Sequence, residues 1–384
     1  MLKQKTLHFL SFFALFIALI LPVSVKAETP VISTVAKQAL IVDAQTGSVV
    51  FEKNSMDQMP TSSMSKVMTM LVIFDALKDG RLKLDDTLLV SKKAWAKGGS
   101  KMFVGEGTRI SVEDLIKGVI VQSGNDACIV LAEGLAGSEE AFVDLINQKA
   151  RELGMNDSNF KNSTGWPDPD HYSTARDLMK MSLDLVYNYP EFYHYYSIKE
   201  FEHNGIKQNN RNPLLYRNLG ADGIKTGHTD VAGYGLIGSA EQAGRRIFMV
   251  LNGLETDKMR RSESARLLAW IYNNTENVTI AKKDDVIYNA KVWMGSEKII
   301  PLVLNEDFHA TIYNDSKDQI KTEILIEEPL QAPVAFGAEV AKLRVTLPDN
   351  TVIEKPLFAA THSPEMNIFG KALARIEYAV VGLN

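Results

Sequence analysis

The chain has 384 residues, with 47 Asp and Glu against 42 Lys and Arg, and a formal net charge of −5. This acidic balance argues against nucleic acid as a partner, because neutralising phosphates requires a surplus of basic side chains. The single cysteine, Cys128, excludes an internal disulfide, and the length suits two domains that each bury a core of their own.

Residues 1–27 have the pattern of a secretory signal peptide. Lys3 and Lys5 precede an apolar run over residues 7–21, and the small-residue step Val25-Lys26-Ala27 follows. The run is shorter than the roughly 20 residues that a spanning helix needs, so we favour cleavage after Ala27 over an uncleaved membrane anchor. The mature protein is therefore expected to be exported.

Residues 28–275 are expected to form the first domain. Alternating apolar residues predict a hairpin over 38–52, and a 3.6-residue apolar period predicts a helix from Ser63 to Gly80. The later predicted elements are helices over 112–122, 126–136 and 139–153, a polar loop over 156–172, a hairpin joining 234–240 to 246–251, and a closing helix over 262–272. Helices mixed with strands indicate an α/β (α+β) domain.

Residues 276–363 are expected to form an all-β accessory domain. Helical periods vanish after Glu276, and short alternating runs appear, such as 321–326. A hairpin is predicted to join 342–347 to 352–357 through Pro348-Asp349-Asn350. No nucleophile motif stands out in this region.

Residues 364–384 are expected to form an amphipathic tail. Their apolar residues recur at steps of four and three, which is one stripe of a helix, and they are Phe369, Leu373, Ile376, Val380 and Leu383. The segment is too charged to cross a bilayer but suits the membrane interface. A helix packed on its own domain is the alternative.

Ser63-Met64-Ser65-Lys66 opens the first predicted helix and carries the first candidate nucleophile. The three-residue spacing places the Ser63 hydroxyl and the Lys66 amine on one helical face, within reach of each other. Serine is a weak nucleophile until a base removes its hydroxyl proton, and a lysine with a lowered pKa can be that base. A second S-x-x-K match at 158–161 lies in the polar loop, where no helix fixes the pair, so we discard it.

Two further motifs follow in the chain. Ser123-Gly124-Asn125 lies between two predicted helices and offers a hydroxyl that can relay a proton and an amide that can bind a substrate amide. Lys225-Thr226-Gly227 precedes the late hairpin, where its cation and hydroxyl suit a substrate carboxylate beside an edge strand. If the two amines are neighbours, Lys225 is also expected to lower the pKa of Lys66.

The order S-x-x-K, S-x-N, K-T-G resembles the signature of penicillin-binding proteins and serine β-lactamases. Longer stretches make the chain similar to the low-molecular-mass penicillin-binding proteins, the serine-type D-alanyl-D-alanine carboxypeptidases of peptidase family S11. These stretches are residues 119–128, 172–177, 222–229, 99–103 and 208–212. The resemblance covers roughly residues 36–272.

The resemblance implies a fold: a serine β-lactamase/penicillin-binding transpeptidase-like domain whose antiparallel sheet is flanked by helices, followed by a small all-β domain and a C-terminal amphipathic helix. It also implies a mechanism. Ser63 would attack the carbonyl between the two terminal D-alanines of a peptidoglycan stem peptide, with Lys66 as general base. Ser123 would help pass the proton to the leaving amine, and β-lactams would acylate Ser63.

The substrate-binding residues that the resemblance implies are Asn125, Lys225, Thr226, His228 and Arg211. Asn125 would hold the substrate amide, while Lys225 and Thr226 would bind the terminal carboxylate, with Arg211 as a second contact. The backbone N–H groups of Ser63 and His228 would form the oxyanion hole. No cofactor is expected, and no metal either, because no cluster of His, Cys and carboxylates has metal-ligand spacing.

Three alternatives stay open. A class A-like β-lactamase would need a glutamate that activates a deacylating water, and the loop 156–172 contains no glutamate. A D-Ala-D-Ala endopeptidase or transpeptidase of the same superfamily would use the same motifs. A catalytically inactive wall-binding protein would keep the fold without the chemistry. For the mature enzyme we expect the periplasmic face of the cytoplasmic membrane, held peripherally by the C-terminal helix.

Overall fold

The structure is a computed structural model that describes residues 32–381, apart from the side chains of residues 377, 378, 380 and 381. The predicted signal peptide lies outside the described residues, as do Leu383 and the side chain of Val380 in the tail stripe. Within residues 32–381, no helix is both long and apolar enough to span a bilayer.

The helices of the described residues are, in chain order, α1 (Lys66–Lys78), α2 (Lys92–Ala96), α3 (Val112–Val121), α4 (Asn125–Ala136), α5 (Glu139–Glu152), α6 (Ala175–Asn188), α7 (Pro190–Tyr193), α8 (Asp257–Asn274) and α9 (Ile368–Val381). Short 3₁₀ turns occupy Ser62–Ser65, His194–Ser197, Pro213–Tyr216 and Lys317–Gln319. Most of the helical residues therefore precede Asn277.

The strands are, in chain order, β1 (Gln38–Asp43), β2 (Val49–Lys53), β3 (Thr87–Leu89), β4 (Arg109–Ser111), β5 (Glu200–His203), β6 (Ile206–Asn209), β7 (Ala221–Thr229), β8 (Gly233–Gln242), β9 (Arg245–Leu254), β10 (Thr275–Ala281), β11 (Val286–Trp293), β12 (Ile299–Val303), β13 (Phe308–Tyr313), β14 (Lys321–Leu325), β15 (Leu330–Gln331), β16 (Glu339–Thr346) and β17 (Val352–Ala359). They form two larger sheets and three two-stranded ones. The larger sheets belong to different parts of the chain.

The sheet of the first domain is antiparallel, in the order β2-β1-β9-β8-β7, so β7 is an edge strand. Alternate residues of β1 face opposite sides, as the two-residue period of a strand requires. Leu40 and Val42 pack into a cluster with α1, α3, α4, α5 and α6, whereas Ala39 and Ile41 pack against α8. The domain therefore has helices on both faces of its sheet.

Helix α1 runs through the larger helical layer and is buried along most of its length. Ten of its 13 residues are buried, and Lys66 is the charged one among them. A helix that is apolar on every side is typical of one surrounded by other elements. The packing of α1 therefore holds the Lys66 side chain in the protein interior, next to the turn that carries Ser63.

The second part of the chain is all-β, as predicted. Its six-stranded sheet has the order β14-β16-β17-β12-β11-β15, and β10 pairs with β13 beside it. Sixteen buried residues, including Leu302, Val345 and Leu357, form its own hydrophobic core. Polar contacts join it to the first domain, such as the bond that Asn277 Nδ2 donates to Asp43 Oδ1 at 3.0 Å.

The predicted elements agree with the structure except in a few places. Residues Ser62–Ser65 form a 3₁₀ turn, so α1 begins at Lys66 rather than at Ser63. Helix α8 begins at Asp257, five residues before the predicted start, because Thr256 caps a first turn that is too polar to show an apolar period. Helix α6 was not predicted, although its amphipathic period is clear once Thr174 is recognised as its N-cap.

Candidate active site

Ser63 and Lys66 meet at the N-terminal end of α1. Lys66 Nζ lies 2.8 Å from Ser63 Oγ, to which it donates a hydrogen bond. The same amine donates to Asn125 Oδ1 at 2.7 Å and to the backbone oxygen of Thr164 at 2.5 Å. The first two motifs and the polar loop therefore converge on a single buried ammonium group.

Burial is the main cause that lowers the pKa of Lys66, to about 8. Cys128 and Asp126 act in the opposite direction, while the charges of Arg211 and Lys97 lower the pKa further. Desolvation penalises the charged form of an amine, so a proton acceptor becomes available near neutral pH. A base with such a pKa suits proton abstraction from a serine hydroxyl.

Lys225 is also buried, and its pKa lies well below the ordinary value, first because of burial and next because of the charge of Lys66. Lys225 Nζ donates one long bond, 3.3 Å, to the backbone oxygen of Thr226, whereas Lys66 donates three shorter ones. Because the repulsion between two neighbouring cations is mutual, the expected effect of Lys225 on the pKa of Lys66 stays a prediction.

Ser123 lies in the turn between α3 and α4, with its backbone in the left-handed region at φ +60°. Its hydroxyl is buried, and among the described residues it has no hydrogen-bond partner. A strained, non-glycine residue with an unsatisfied polar atom is typical of a functional site. Ser123 lines the same cavity as Ser63, which leaves its hydroxyl available to a substrate.

The first turn of α4 forms another wall of the site. Asn125 Nδ2 donates to the backbone oxygen of Gly98 at 2.9 Å. Asp126 accepts bonds from the backbone N–H groups of Met102, Phe103 and Val104, at 2.8, 2.9 and 3.2 Å. These contacts fix the segment 98–104 beside the motifs, a role of Asp126 that the sequence analysis missed.

Edge strand β7 forms the remaining wall with the third motif. A Cβ on Gly227 would lie 2.8 Å from the backbone oxygen of Thr61, so only glycine lets the strand approach the Ser63 turn this closely. His228 is exposed and stacks on Tyr234, with ring centroids 3.9 Å apart. Arg211 donates a hydrogen bond to Ser100 Oγ across the cavity.

All eight predicted site residues lie together. A cavity of about 250 Å³ is lined by Ser63, Ser100, Ser123, Arg211, Thr226, Gly227, His228, Tyr234 and Arg260. Lys66 adjoins the cavity through its bond to Ser63, Asn125 accepts a bond from Lys66, and Lys225 precedes Thr226 on β7. The arrangement combines a nucleophile, a base of lowered pKa and a cationic wall, which fits acyl transfer from a substrate that carries a carboxylate.

Comparisons with known proteins agree with this geometry. A sequence model described as D-alanyl-D-alanine carboxypeptidase matches residues 24–256, more than half of the chain. The chain belongs to the D-alanyl-D-alanine carboxypeptidase family. A second model, the C-terminal domain of penicillin-binding protein 5, matches residues 276–365.

Relatives of this carboxypeptidase match nearly its whole length. D-alanyl-D-alanine carboxypeptidase DacC of Escherichia coli (strain K12) is 37% identical over 366 residues, covering 93% of this chain and 92% of that protein. The crystal structure of DacD from Francisella tularensis gives a TM-score of 0.79 at 30% identity, covering 88% of this chain and 96% of that one. Penicillin-binding protein 5 from Haemophilus influenzae gives 0.77 at 33% identity, with 88% and 99% covered. The predicted family, fold class and enzyme class are confirmed.

The polar loop of this carboxypeptidase supports the Ser63 turn, which the motifs alone did not reveal. His171 Nε2 lies 2.7 Å from Ser65 Oγ, and the backbone N–H of Lys161 donates to His171 Nδ1. Because Nδ1 accepts, the proton of the neutral ring is on Nε2 and is donated to Ser65. Burial lowers the pKa of His171 to about 4, which keeps this link neutral.

Glu139 is a buried carboxylate near the site that sequence reasoning also missed. It accepts bonds from the backbone N–H and the hydroxyl of Ser163, at 3.2 and 2.8 Å, and pairs with Lys93 at 3.1 Å. Ser163 precedes Thr164, whose backbone oxygen binds Lys66. Glu139 therefore braces the loop, with both of its oxygens engaged.

Proposed function

We propose that this carboxypeptidase removes the terminal D-alanine from peptidoglycan stem pentapeptides through an acyl-enzyme on Ser63, in cell-wall biogenesis. The observation that carries the proposal is the bond between Lys66 Nζ and Ser63 Oγ, at 2.8 Å, from an amine whose pKa burial lowers to about 8. The family assignment supports the substrate class. The guanidinium groups of Arg211 and Arg260 and the hydroxyl of Thr226, which line the cavity, support a substrate that ends in a carboxylate.

In the proposed mechanism, neutral Lys66 takes the Ser63 proton as Oγ attacks the carbonyl of the penultimate D-alanine. The backbone N–H groups of Ser63 and His228 stabilise the oxyanion, a contribution that is typically a few kcal/mol. The proton then passes through Ser123 to the leaving nitrogen, and D-alanine departs with its amine. Water hydrolyses the ester, which restores the Ser63 hydroxyl and releases the shortened peptide.

The positions of the side chains support the proposed substrate-binding roles. Thr226 and Arg211, which line the cavity, bind the terminal carboxylate together with Lys225. Asn125 binds the substrate amide while its Oδ1 orients Lys66. A β-lactam carries an acyl group and a carboxylate in a similar relation, so it acylates the same serine. The name of the Haemophilus influenzae relative, penicillin-binding protein 5, supports this step.

Digestion of purified muropeptides tests the proposed activity. The mature enzyme should release one D-alanine from a stem pentapeptide and leave the tetrapeptide, as measured by chromatography and mass spectrometry. Cross-linked dimers serve as the parallel substrate. Cleavage of the cross-link alone would overturn the proposal in favour of an endopeptidase, and rapid turnover of benzylpenicillin would favour a β-lactamase.

We also propose four segments: a signal peptide at 1–27, a catalytic domain at 28–275, a β domain at 276–363 and a membrane-associating tail at 364–384. Helix α9 supports the last of these, because its apolar side chains stand in solvent: Ile368, Phe369, Leu373 and Ile376 are 83%, 86%, 67% and 61% exposed. An apolar stripe of this kind suits the interface of a bilayer. The enzyme would then be held peripherally on the periplasmic face of the cytoplasmic membrane.

Removing residues 365–384 is expected to shift the enzyme from the membrane fraction to the soluble fraction, with its D-alanine release unchanged. The double variant Phe369→Ser, Leu373→Ser should do the same with the helix retained, since two apolar contacts are lost. Arg375→Gln, on the same helix, is the control that keeps the apolar stripe. Unchanged fractionation of the truncated enzyme would contradict the anchor.

A further inference from the structure

The six-stranded sheet in the second part of the chain splits open beside strand β16. Strand β14 pairs with β16 over residues 321–325, opposite residues 342–346. Beyond Leu325 the chain leaves β16 and, as β15, pairs with β11 at the other edge of the sheet. Within residues 32–381, the start of β16, residues 339–341, therefore pairs with β17 alone and has a free edge on its other side.

A cavity of about 1200 Å³ occupies this split, and we call it the β16 groove. Four half-buried apolar side chains line it: Ile324, Ile326, Leu330 and Val340. All four pack against the hydrophobic core of the second part of the chain. A strand placed in the groove would therefore meet the unpaired backbone of β16 and an apolar floor that continues the core.

The lining of the β16 groove is acidic. It contains Glu327, Glu328 and Glu339 against one basic side chain, Lys342, among the described residues. Both oxygens of Glu328 accept hydrogen bonds from β11, and Lys342 pairs with a glutamate of β17 at 3.6 Å. Glu327 and Glu339 are exposed and have no ion-pair partner in the part of the chain that the structure describes. These two carboxylates are therefore available to a cationic ligand.

An extended peptide segment fits the β16 groove because its backbone can pair with the free edge of β16 as a further strand. Successive side chains of a strand point to opposite faces, so every second residue of the segment faces the apolar floor. The residues between them face solvent, where Glu327 and Glu339 favour lysine or arginine. The same carboxylates repel stem peptides that end in a carboxylate, so a protein segment suits the groove better than the cell wall does.

We propose that the β16 groove binds an extended segment of another protein in which apolar residues alternate with lysine or arginine. The segment adds a strand to β16, places its apolar side chains against Ile326 and Val340, and pairs its cations with Glu327 and Glu339. The groove shares no lining residue with the cavity at Ser63. The proposal therefore concerns a partner of the enzyme and does not depend on the proposed catalytic activity.

Hydrogen exchange of the mature enzyme, followed by mass spectrometry, tests the groove with a defined probe, acetyl-(Lys-Val)₃-amide. We expect the probe to slow exchange in the segment that contains residues 339–341, because amide N–H groups of the free edge become hydrogen-bonded. The analogue acetyl-(Glu-Val)₃-amide reverses the charge and should give no protection. The analogue acetyl-(Lys-Ser)₃-amide keeps the charge without the apolar side chains and should bind about tenfold more weakly or worse.

The double variant Glu327→Gln, Glu339→Gln should raise the Kd of acetyl-(Lys-Val)₃-amide about two- to tenfold at low ionic strength, as expected for two exposed ion pairs. The matched control is Asp315→Asn, Asp318→Asn, which removes two exposed carboxylates that do not line the groove and should leave the Kd unchanged. Equal protection by the lysine and glutamate peptides, or an unchanged Kd in the glutamine variant, would overturn the proposal. Self-association of the enzyme alone, with protection of residues 339–341, would also overturn it by making a second copy the occupant.

Discussion

Ser63→Ala is expected to abolish both the release of D-alanine and covalent labelling by benzylpenicillin. The hydroxyl of Ser63 is the one that Lys66 Nζ contacts, at 2.8 Å, so its loss removes the acyl-enzyme itself. In serine hydrolases, removal of the nucleophile lowers kcat by about 10⁶. D-alanine release and the mass of the intact protein after incubation with benzylpenicillin measure the two effects.

The control for this prediction is Ser158→Ala, which removes the serine of the discarded S-x-x-K match. Ser158 Oγ donates to Asp177 Oδ2 at 2.8 Å and lies 2.7 Å from Ser173 Oγ, so it holds the loop onto α6 and is remote from the chemistry. The Ser158→Ala variant should therefore keep the penicillin adduct. A full adduct on Ser63→Ala, or retained D-alanine release, would contradict the assignment of the nucleophile.

The sequence was sufficient to predict which residues lie together, because its three motifs occupy positions that the fold makes rigid. Ser63 lies in a 3₁₀ turn, Asn125 begins α4, and Lys225 lies inside β7, so each side chain is fixed by regular structure next to it. Spacing within S-x-x-K predicts the Ser63–Lys66 contact directly. The convergence of all three motifs was predicted from their order and not from any local pattern.

Contacts between distant segments were not predictable in this way. The Thr164 backbone oxygen binds Lys66, and Gly165 approaches so closely that a Cβ there would lie 1.8 Å from the backbone oxygen of Ser62. Neither residue belongs to a motif. A backbone oxygen is present in every residue, so no side-chain pattern indicates which one will bind a lysine. The same reason hid the number of hydrogen bonds that each lysine amine makes in the folded protein, three for Lys66 and one for Lys225.

Lys66→Arg is expected to lower the rate of acylation by about 10³ or more while keeping a positive charge at this position. Arginine does not lose its proton in proteins, so it has no lone pair for the Ser63 hydroxyl. General-base catalysis contributes about 10²- to 10⁴-fold, and the larger arginine also displaces neighbouring groups. Stopped-flow acylation by benzylpenicillin, with circular dichroism to verify folding, measures the loss. Wild-type acylation by Lys66→Arg would exclude Lys66 as the base.

The pH dependence of the wild-type enzyme is the sharper test of the same base. Because burial lowers the pKa of Lys66 to about 8, the neutral form gains population as pH rises, and kcat/KM should climb about tenfold per pH unit below pH 8 before levelling off. His171, with a pKa of about 4, and Cys128, whose pKa burial raises to about 12, change protonation state well away from pH 8. The negative charge of a bound carboxylate favours the charged form of Lys225, which burial and the charge of Lys66 otherwise disfavour.

Lys225→Gln separates the two lysines. Removing one of two neighbouring cations relieves the repulsion on the other, so the pKa of Lys66 should rise and the climb in kcat/KM should move to higher pH. The Michaelis constant should also increase, because the substrate carboxylate loses a charged partner. A climb that stays at the wild-type pH, or that disappears, would show that Lys66 is not the group whose deprotonation limits acylation. Since the two amines interact directly, the size of this displacement measures how strongly the fold couples the base to the carboxylate site.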